Sequence, residues 1–188
     1  LFSYITTWSC RWYKASARGP MTLWEINRIS SGAFTTALRG IFEHSPWVAE
    51  RASAARPFAG IAELHGAMMA AVRAAPEDMQ LALFRAHPEL AGKAAIRGDL
   101  TPESKLEQSR AGLNQCPADE LARLSALNRA YHTKFGFPFI LAVKGYDSAG
   151  ILREFARRIE NDRDAEFEAA LAQIGRITRS RLDDLLAG

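Results

Sequence analysis

Five prolines set the frame of this sequence. Pro46, Pro57, Pro76, Pro102 and Pro117 each stand near the head of a stretch whose apolar residues recur three and four positions apart. Proline is well tolerated in a helix only in its first turn, where no intrahelical N–H bond is lost. A chain punctuated in this way folds as successive helices, so the expected fold class is all-α, a single-domain multi-helix bundle. Ser31 is expected to cap a helix carrying Phe34, Leu38, Ile41 and Phe42, and Ser45 a second one with Pro46 at its first position and Trp47 and Val48 behind it. Pro57 opens a helix with Phe58, Ile61, Leu64, Met68 and Met69 on one face. Pro76 opens another, with Met79, Leu81, Leu83 and Phe84, which must stop near His87 because Pro88 disfavours α geometry in the residue before it. Beyond a glycine-containing loop, Thr101 and Pro102 cap and open a helix running to about Gln115. Pro117 begins one lined by Leu121, Leu124, Leu127 and Tyr131, which Gly136 ends. Ser148 caps a helix with Ile151, Leu152, Phe155 and Ile159, and Ala165 to Leu186 forms the last long one.

One stretch escapes this pattern. Residues 137–143, bounded by Gly136 and Gly145, are apolar throughout and by period alone could be a buried strand. No partner strand is legible elsewhere, so an irregular segment threaded between helices is expected, with backbone groups that need another partner, a ligand among the candidates. The 188 residues, 48% hydrophobic, suffice for one core. Residues 1–20 differ from the rest and are read as an N-terminal extension outside the fold, with Met21 as the natural start of a domain spanning 21–188; a targeting remnant, suggested by Arg11, Lys14 and Arg18 without an acidic residue, or an ordinary arm are the alternatives.

Composition excludes several function classes. The net charge of +3 comes from basic residues interleaved with acidic ones, which reads as a solvated surface and not as a nucleic-acid footprint. Cys10 and Cys116 form no CxxC and have no histidine at ligand spacing, so no metal site is expected. No apolar run approaches the roughly 20 residues of a membrane span. These features fit a cytoplasmic protein.

The residues that can carry chemistry are few. His87, held at a helix end beside Pro88, has a side chain that titrates near neutral pH, although a lone histidine is more often structural. Ser104, Glu107 and Gln108 share one face of a helix near its positive end, which is either a compact polar site or a surface patch. Arg181 lies on the same side of the last helix as Ile174, Ile177 and Leu185, and an inward arginine needs an anionic partner, either an acidic side chain or a substrate carboxylate.

A set of separated motifs adds to this reading. Residues 42–48 (FEHSPWV), 56–58 (RPF), 86–92 (AHPELAG), 100–108 (LTPESKLEQ), 111–113 (AGL), 127–128 (LN) and 135–140 (FGFPFI) together resemble the 2-oxo-4-hydroxy-4-carboxy-5-ureidoimidazoline (OHCU) decarboxylases in order and spacing, over approximately Leu23 to Leu186. The resemblance implies an all-helical, usually dimeric, cofactor-free enzyme that decarboxylates this ureidoimidazoline to (S)-allantoin at the end of urate degradation. His87, Glu107 and Arg181 match the family's catalytic positions. Pro88, Ser104, Gln108, Phe139, Ile140, Leu141, Ala142 and Val143 match substrate-contacting ones, the last five largely through their backbone.

The substrate carries its own electron sink in a ring C=N bond, so no cofactor is expected. From the matched roles, Glu107 is expected to hydrogen-bond His87 and favour its protonated form, Arg181 to orient the anionic substrate, and Ser104 and Gln108 to fix its amides. The expected partners are the small-molecule substrate, a second copy of the chain and, through the pathway, a urate oxidase and a hydroxyisourate hydrolase. Two rival readings stand beside this one: a helical module that binds a ureide without chemistry, and a basic helical nucleic-acid binder.

Overall fold

A computed structural model describes residues 21–92, 99–113 and 116–186, and its regular elements are all helical. In chain order they are α1 (Leu23–Ile26), α2 (Ser31–Leu38), α3 (Pro46–Ala52) with a short 3₁₀ turn (Ser53–Ala55), α4 (Ile61–Arg73), α5 (Glu77–Ala86), α6 (Pro102–Arg110), α7 (Ala118–Phe135), α8 (Ser148–Arg158) and α9 (Arg163–Leu186). The expected extension at residues 1–20 lies outside the described residues.

Local chemistry explains where the boundaries depart from expectation. Ser30, not Ser31, caps α2, its hydroxyl accepting the Ala33 N–H at 3.3 Å, and Ile41 and Phe42 lie beyond the helix although both are buried. Pro57 does not open α4. The backbone of Phe58 pairs both ways with the Asn27 amide, at 2.8 and 2.9 Å, so α4 begins only after Gly60. Helix α6 ends at Arg110, short of Gln115, because Gly112 turns left-handed at φ +73; only glycine enters that region without a steric penalty. Asp147 caps α8 in place of Ser148, its carboxylate accepting the Gly150 N–H at 2.7 Å. Pro76, Thr101, Pro102, Pro117 and the left-handed Gly136 stand where the sequence placed them.

Helix α3 packs on both α2 and α4, and α9 lies against α4. Their buried faces, which include Phe34, Leu38, Val48, Leu64, Met68, Val72, Leu171 and Ile174, form one core. Burying each large apolar side chain contributes about 1.5–3 kcal/mol. The 137–143 segment runs through this core without becoming a strand. An aromatic cluster pins it: Tyr131 meets Phe137 at 6.0 Å and Phe139 at 5.3 Å, and Phe139 stacks on Phe155 at 3.8 Å.

Its polar backbone groups find partners on neighbouring helices. Arg158 Nη1 donates to the Ile140 carbonyl at 2.7 Å, and the Ala142 N–H donates to Gln173 Oε1 at 3.0 Å. The partner expected for this segment is therefore supplied in part by side chains of α8 and α9. Those contacts fix the wall against which the chemistry-bearing residues gather.

Candidate active site

Proline 88 stops α5 at Ala86 and leaves His87 as the extended residue that closes it, at ψ 135. The imidazole takes over the task of the missing next turn: its Nδ1 lies 2.9 Å from the Leu83 carbonyl. A carbonyl can only accept, so Nδ1 carries the proton and Nε2 keeps its lone pair. His87 is buried, and its Nε2 has no hydrogen-bond partner among the described residues. Burial pushes its pKa down to about 4, against the opposing pull of the Leu83 carbonyl and of the Glu43 charge.

Residues 89–91 are held by two amides. Gln108 accepts the Ala91 N–H at 3.0 Å and donates to the Glu89 carbonyl, and Asn128 donates to the Leu90 carbonyl at 3.0 Å. Ala91 sits at φ +50, a conformation an alanine holds only when its surroundings enforce it.

Helix α6 begins at Pro102 behind the Thr101 cap, and its first turns present Ser104, Glu107 and Gln108 inward from the loop side. Arg181 reaches them from α9. Its guanidinium grips Glu107 in a fork, Nε to Oε1 at 2.7 Å and Nη2 to Oε2 at 2.8 Å. Nη2 also donates to Glu43 Oε1 at 3.0 Å and Ser104 Oγ at 3.2 Å, while Nη1 donates to the carbonyls of Gly40 and Ile41. Burial opposes the charge on Arg181, yet the hydrogen bond and charge of Glu107, joined by Glu43, hold its pKa above the ordinary value. Burial likewise opposes the charge on Glu43; the Ser104 hydroxyl and the Arg181 guanidinium outweigh it and keep that carboxyl below its ordinary range.

His87, Pro88, Ser104, Glu107, Gln108, Phe139, Ile140, Leu141, Val143 and Arg181 line a single cleft of about 30 Å³, together with Leu90 and Ile177. A larger cavity of about 990 Å³ adjoins it, and Glu107 and Arg181 belong to both walls. The residues singled out in the sequence thus meet in one place, with one exception. Ala142 does not line the cleft; its N–H turns away to Gln173.

Two expected contacts are replaced by others. Glu107 does not bond to His87, because Arg181 takes both of its carboxylate oxygens and Leu83 takes the imidazole proton. His87 is not favoured in its protonated form either, since burial outweighs the nearby negative charge. Gln108 braces the 89–91 loop with its amide groups. Glu43 is a residue that sequence reasoning missed, although it lies within one of the motifs. The available signal was a carboxylate set directly after the apolar pair Ile41–Phe42, where burial demands a cation. Among the described residues no group of three or more His, Cys, Asp and Glu side chains could hold a metal ion.

The profile of a family described as OHCU decarboxylase matches residues 27–183. The chain is 39% identical over 162 residues to a 2-oxo-4-hydroxy-4-carboxy-5-ureidoimidazoline decarboxylase of Haloferax volcanii, covering 86% of this chain and 94% of that protein. It is 38% identical over 166 residues to the mouse protein of the same name, covering 88% and 93%. A uric acid degradation bifunctional protein of Bacillus subtilis is 41% identical over 165 residues; there the match covers 88% of this chain but only 33% of the longer protein. Among solved structures, an OHCU decarboxylase crystallised in the presence of (S)-allantoin superposes with a TM-score of 0.66 at 26% identity, covering 81% of this chain and 99% of that one. An (S)-allantoin synthase superposes with a TM-score of 0.70 at 30% identity, covering 89% of this chain and 54% of that one. With the profile spanning most of its length and full-length relatives well above 30% identity, this chain belongs to the OHCU decarboxylase family.

Proposed function

We propose that the chain decarboxylates 2-oxo-4-hydroxy-4-carboxy-5-ureidoimidazoline to (S)-allantoin, the final step from urate, with His87 as the proton-transfer group. The observation that carries this reading is the unpartnered Nε2 of a buried, neutral imidazole on the wall of a cleft shared with Arg181 and Glu107. A neutral imidazole held in one tautomer is a base, and the substrate offers it a proton to take.

Nε2 accepts the proton of the substrate hydroxyl. As the bond to the carboxylate breaks and CO₂ leaves, its electron pair forms a double bond to the ureido-bearing carbon and passes to the ring nitrogen of the C=N group, which takes a proton from solvent. The imidazolium then returns its proton to the ureido-bearing carbon while the former hydroxyl oxygen becomes a carbonyl. One proton is consumed overall, and the substrate itself is the electron sink, so the reaction asks for no cofactor. Protonation from the side on which His87 stands sets the handedness of the product.

Arg181 binds the substrate carboxylate in this scheme, exchanging Glu107 for it. Ser104 and the backbone of Phe139, Ile140, Leu141 and Val143 shape the remaining wall, and Pro88 and Gln108 hold the loop that follows His87. The 30 Å³ cleft has room for about one water molecule. Admitting a ureidoimidazoline therefore requires its partition from the larger cavity to move, and Glu107, with 28% of its side chain exposed, is the part of that partition least held by packing.

Among the described residues no helix is long and apolar enough to cross a membrane. The family reading adds action in the cytoplasm as a homodimer alongside the urate-oxidising enzymes. Fusion of the matching region into bifunctional uric acid degradation proteins supports the last point, and size-exclusion chromatography with light scattering tests the dimer.

The experiment for the reaction generates the unstable substrate in place from urate with urate oxidase and hydroxyisourate hydrolase, adds this protein and follows allantoin by circular dichroism. Accelerated formation of the (S)-enantiomer is expected. A racemic product forming at the uncatalysed rate would sink the assignment.

A further inference from the structure

Residues 39–45 connect α2 to α3, and they carry a buried carboxylate. Glu43 is 2% exposed. Among the described residues its side chain bonds to residues of other elements: the Ser104 and Thr101 hydroxyls donate to Oε1, the latter at 3.0 Å, and Arg181 Nη2 donates to it at 3.0 Å. The turn is built around the same guanidinium, because Arg181 Nη1 donates to the carbonyls of Gly40 and Ile41. The next residue, His44, stands at φ +44, a left-handed conformation that a non-glycine side chain holds only under constraint. Strain beside an inward carboxylate and two carbonyls aimed at one arginine are what a turn shaped for holding that arginine would show.

The two acids on Arg181 differ in a way that assigns them different tasks. Glu107 has 28% of its side chain exposed and lies on the wall of both cavities, whereas Glu43 borders the larger cavity alone and only 1% of its side chain is exposed. An incoming carboxylate can take the place of Glu107 on the guanidinium, since the displaced group has solvent-accessible space to enter. Displacing Glu43 would leave a buried charge without a partner, which is strongly unfavourable. We infer that Glu43 is a positioning residue for the decarboxylation, the permanent counterion that keeps Arg181 and Ser104 aimed into the cleft while Glu107 yields its place to the substrate carboxylate. This inference rests on the reading of the site given under Proposed function.

With Glu43 acting through groups that bind substrate and transition state alike, its loss raises KM and leaves kcat nearly intact. The test compares wild type, Glu43→Gln and Glu43→Asp in the coupled allantoin assay, with thermal unfolding followed by circular dichroism. Glu43→Gln keeps the shape and removes the charge; a KM higher by about tenfold or more is expected, the scale of one charge-assisted hydrogen bond, with kcat within about threefold. Glu43→Asp restores the charge one methylene further back and is expected to recover most of the loss while remaining measurably weaker than wild type.

Wild-type constants in a folded Glu43→Gln protein overturn the inference. So does a fall in kcat at unchanged KM, which would place Glu43 in the chemistry itself. If Glu43→Gln does not fold, Glu43→Asp decides alone: a raised KM at preserved kcat supports positioning, and a wild-type KM assigns Glu43 to stability only and overturns it. An inactive wild type removes this inference together with the proposed reaction, whereas an active wild type with indifferent Glu43 variants removes this inference alone.

Discussion

Two buried arginines of this protein are each neutralised by buried or half-buried carboxylates, Arg158 by Glu166 and Arg181 by Glu43 and Glu107, and comparing them separates structure from function. Arg158 donates to Glu166, to which the Tyr131 hydroxyl also donates; it donates to the Ile140 carbonyl and lies 4.6 Å from the Phe139 ring centroid. Asn161 donates to the second oxygen of Glu166 at 2.7 Å. The side chains of this pair are 1% and 0% exposed. Burial, with the Glu166 carboxylate beside it, pushes the Tyr131 hydroxyl far above its ordinary pKa, so that hydroxyl keeps its proton for Glu166 at any ordinary pH.

Arg181 has a comparable set of partners, but one of them is partly exposed and two cavities share its wall. A sealed cluster can only hold the chain together, here by anchoring the 137–143 segment. An open one can trade a partner for a ligand. The lesson is that burial of a charge does not mark a site; access to its counterion does.

The largest effect that would sharpen this contrast is at the open cluster's edge. His87→Ala should lower turnover by about 10²- to 10⁴-fold while the thermal unfolding profile stays close to wild type. Turnover within a few-fold of wild type in a folded variant would take His87 out of the mechanism.

The sealed cluster should respond in stability instead. Glu166→Gln leaves Arg158 without its counterion and should reduce unfolding free energy by about 3–5 kcal/mol in chemical denaturation. A loss under about 1 kcal/mol would mean that the cluster is not the anchor described here.

Glu107→Gln should show the opposite balance. Its partner Arg181 keeps Glu43, and the side chain is partly exposed, so stability should change by less than about 1 kcal/mol. Because Glu107 competes with the substrate carboxylate for Arg181, KM should fall, by up to about tenfold, in the coupled assay. Equal losses of stability in the two glutamate variants would erase the distinction between the clusters.

The smallest effect is a pH dependence. The fold lowers the His87 pKa from the ordinary 6.5 to about 4, so the unfolded chain binds this proton more readily than the folded one. The stability contributed by neutral His87 is complete above pH 6.5 and is lost as the pH falls toward 4. By pH 5 the loss should reach about 2 kcal/mol relative to a His87→Asn variant at the same pH. Parallel stability profiles of the two proteins between pH 7 and pH 5 would show that His87 is not held neutral by burial.

Much of the site was legible in the sequence, and particular residues show why. Pro88 dictates that His87 ends a helix, because its ring acts on the residue immediately before it. Thr101 and Pro102 set the start of α6 and hence the common face of Ser104, Glu107 and Gln108. The inward side of Arg181 follows from helical period on α9. The partner of each group was less legible. Glu107 pairs with Arg181 and not with His87, Gln108 holds a loop, Ala142 faces Gln173, and Glu43 enters from a turn 138 residues away from the arginine it serves.

Local sequence determined the helical class, most element boundaries and the residue types gathered for chemistry, because capping, proline geometry and apolar period act over one to four residues. Only the tertiary structure decided the protonation state of His87, the pairing of the two acids on Arg181 and the sealing of Arg158. Each of these depends on which distant groups share a buried volume, and electrostatic energy there is set by burial and distance through space, not by separation along the chain.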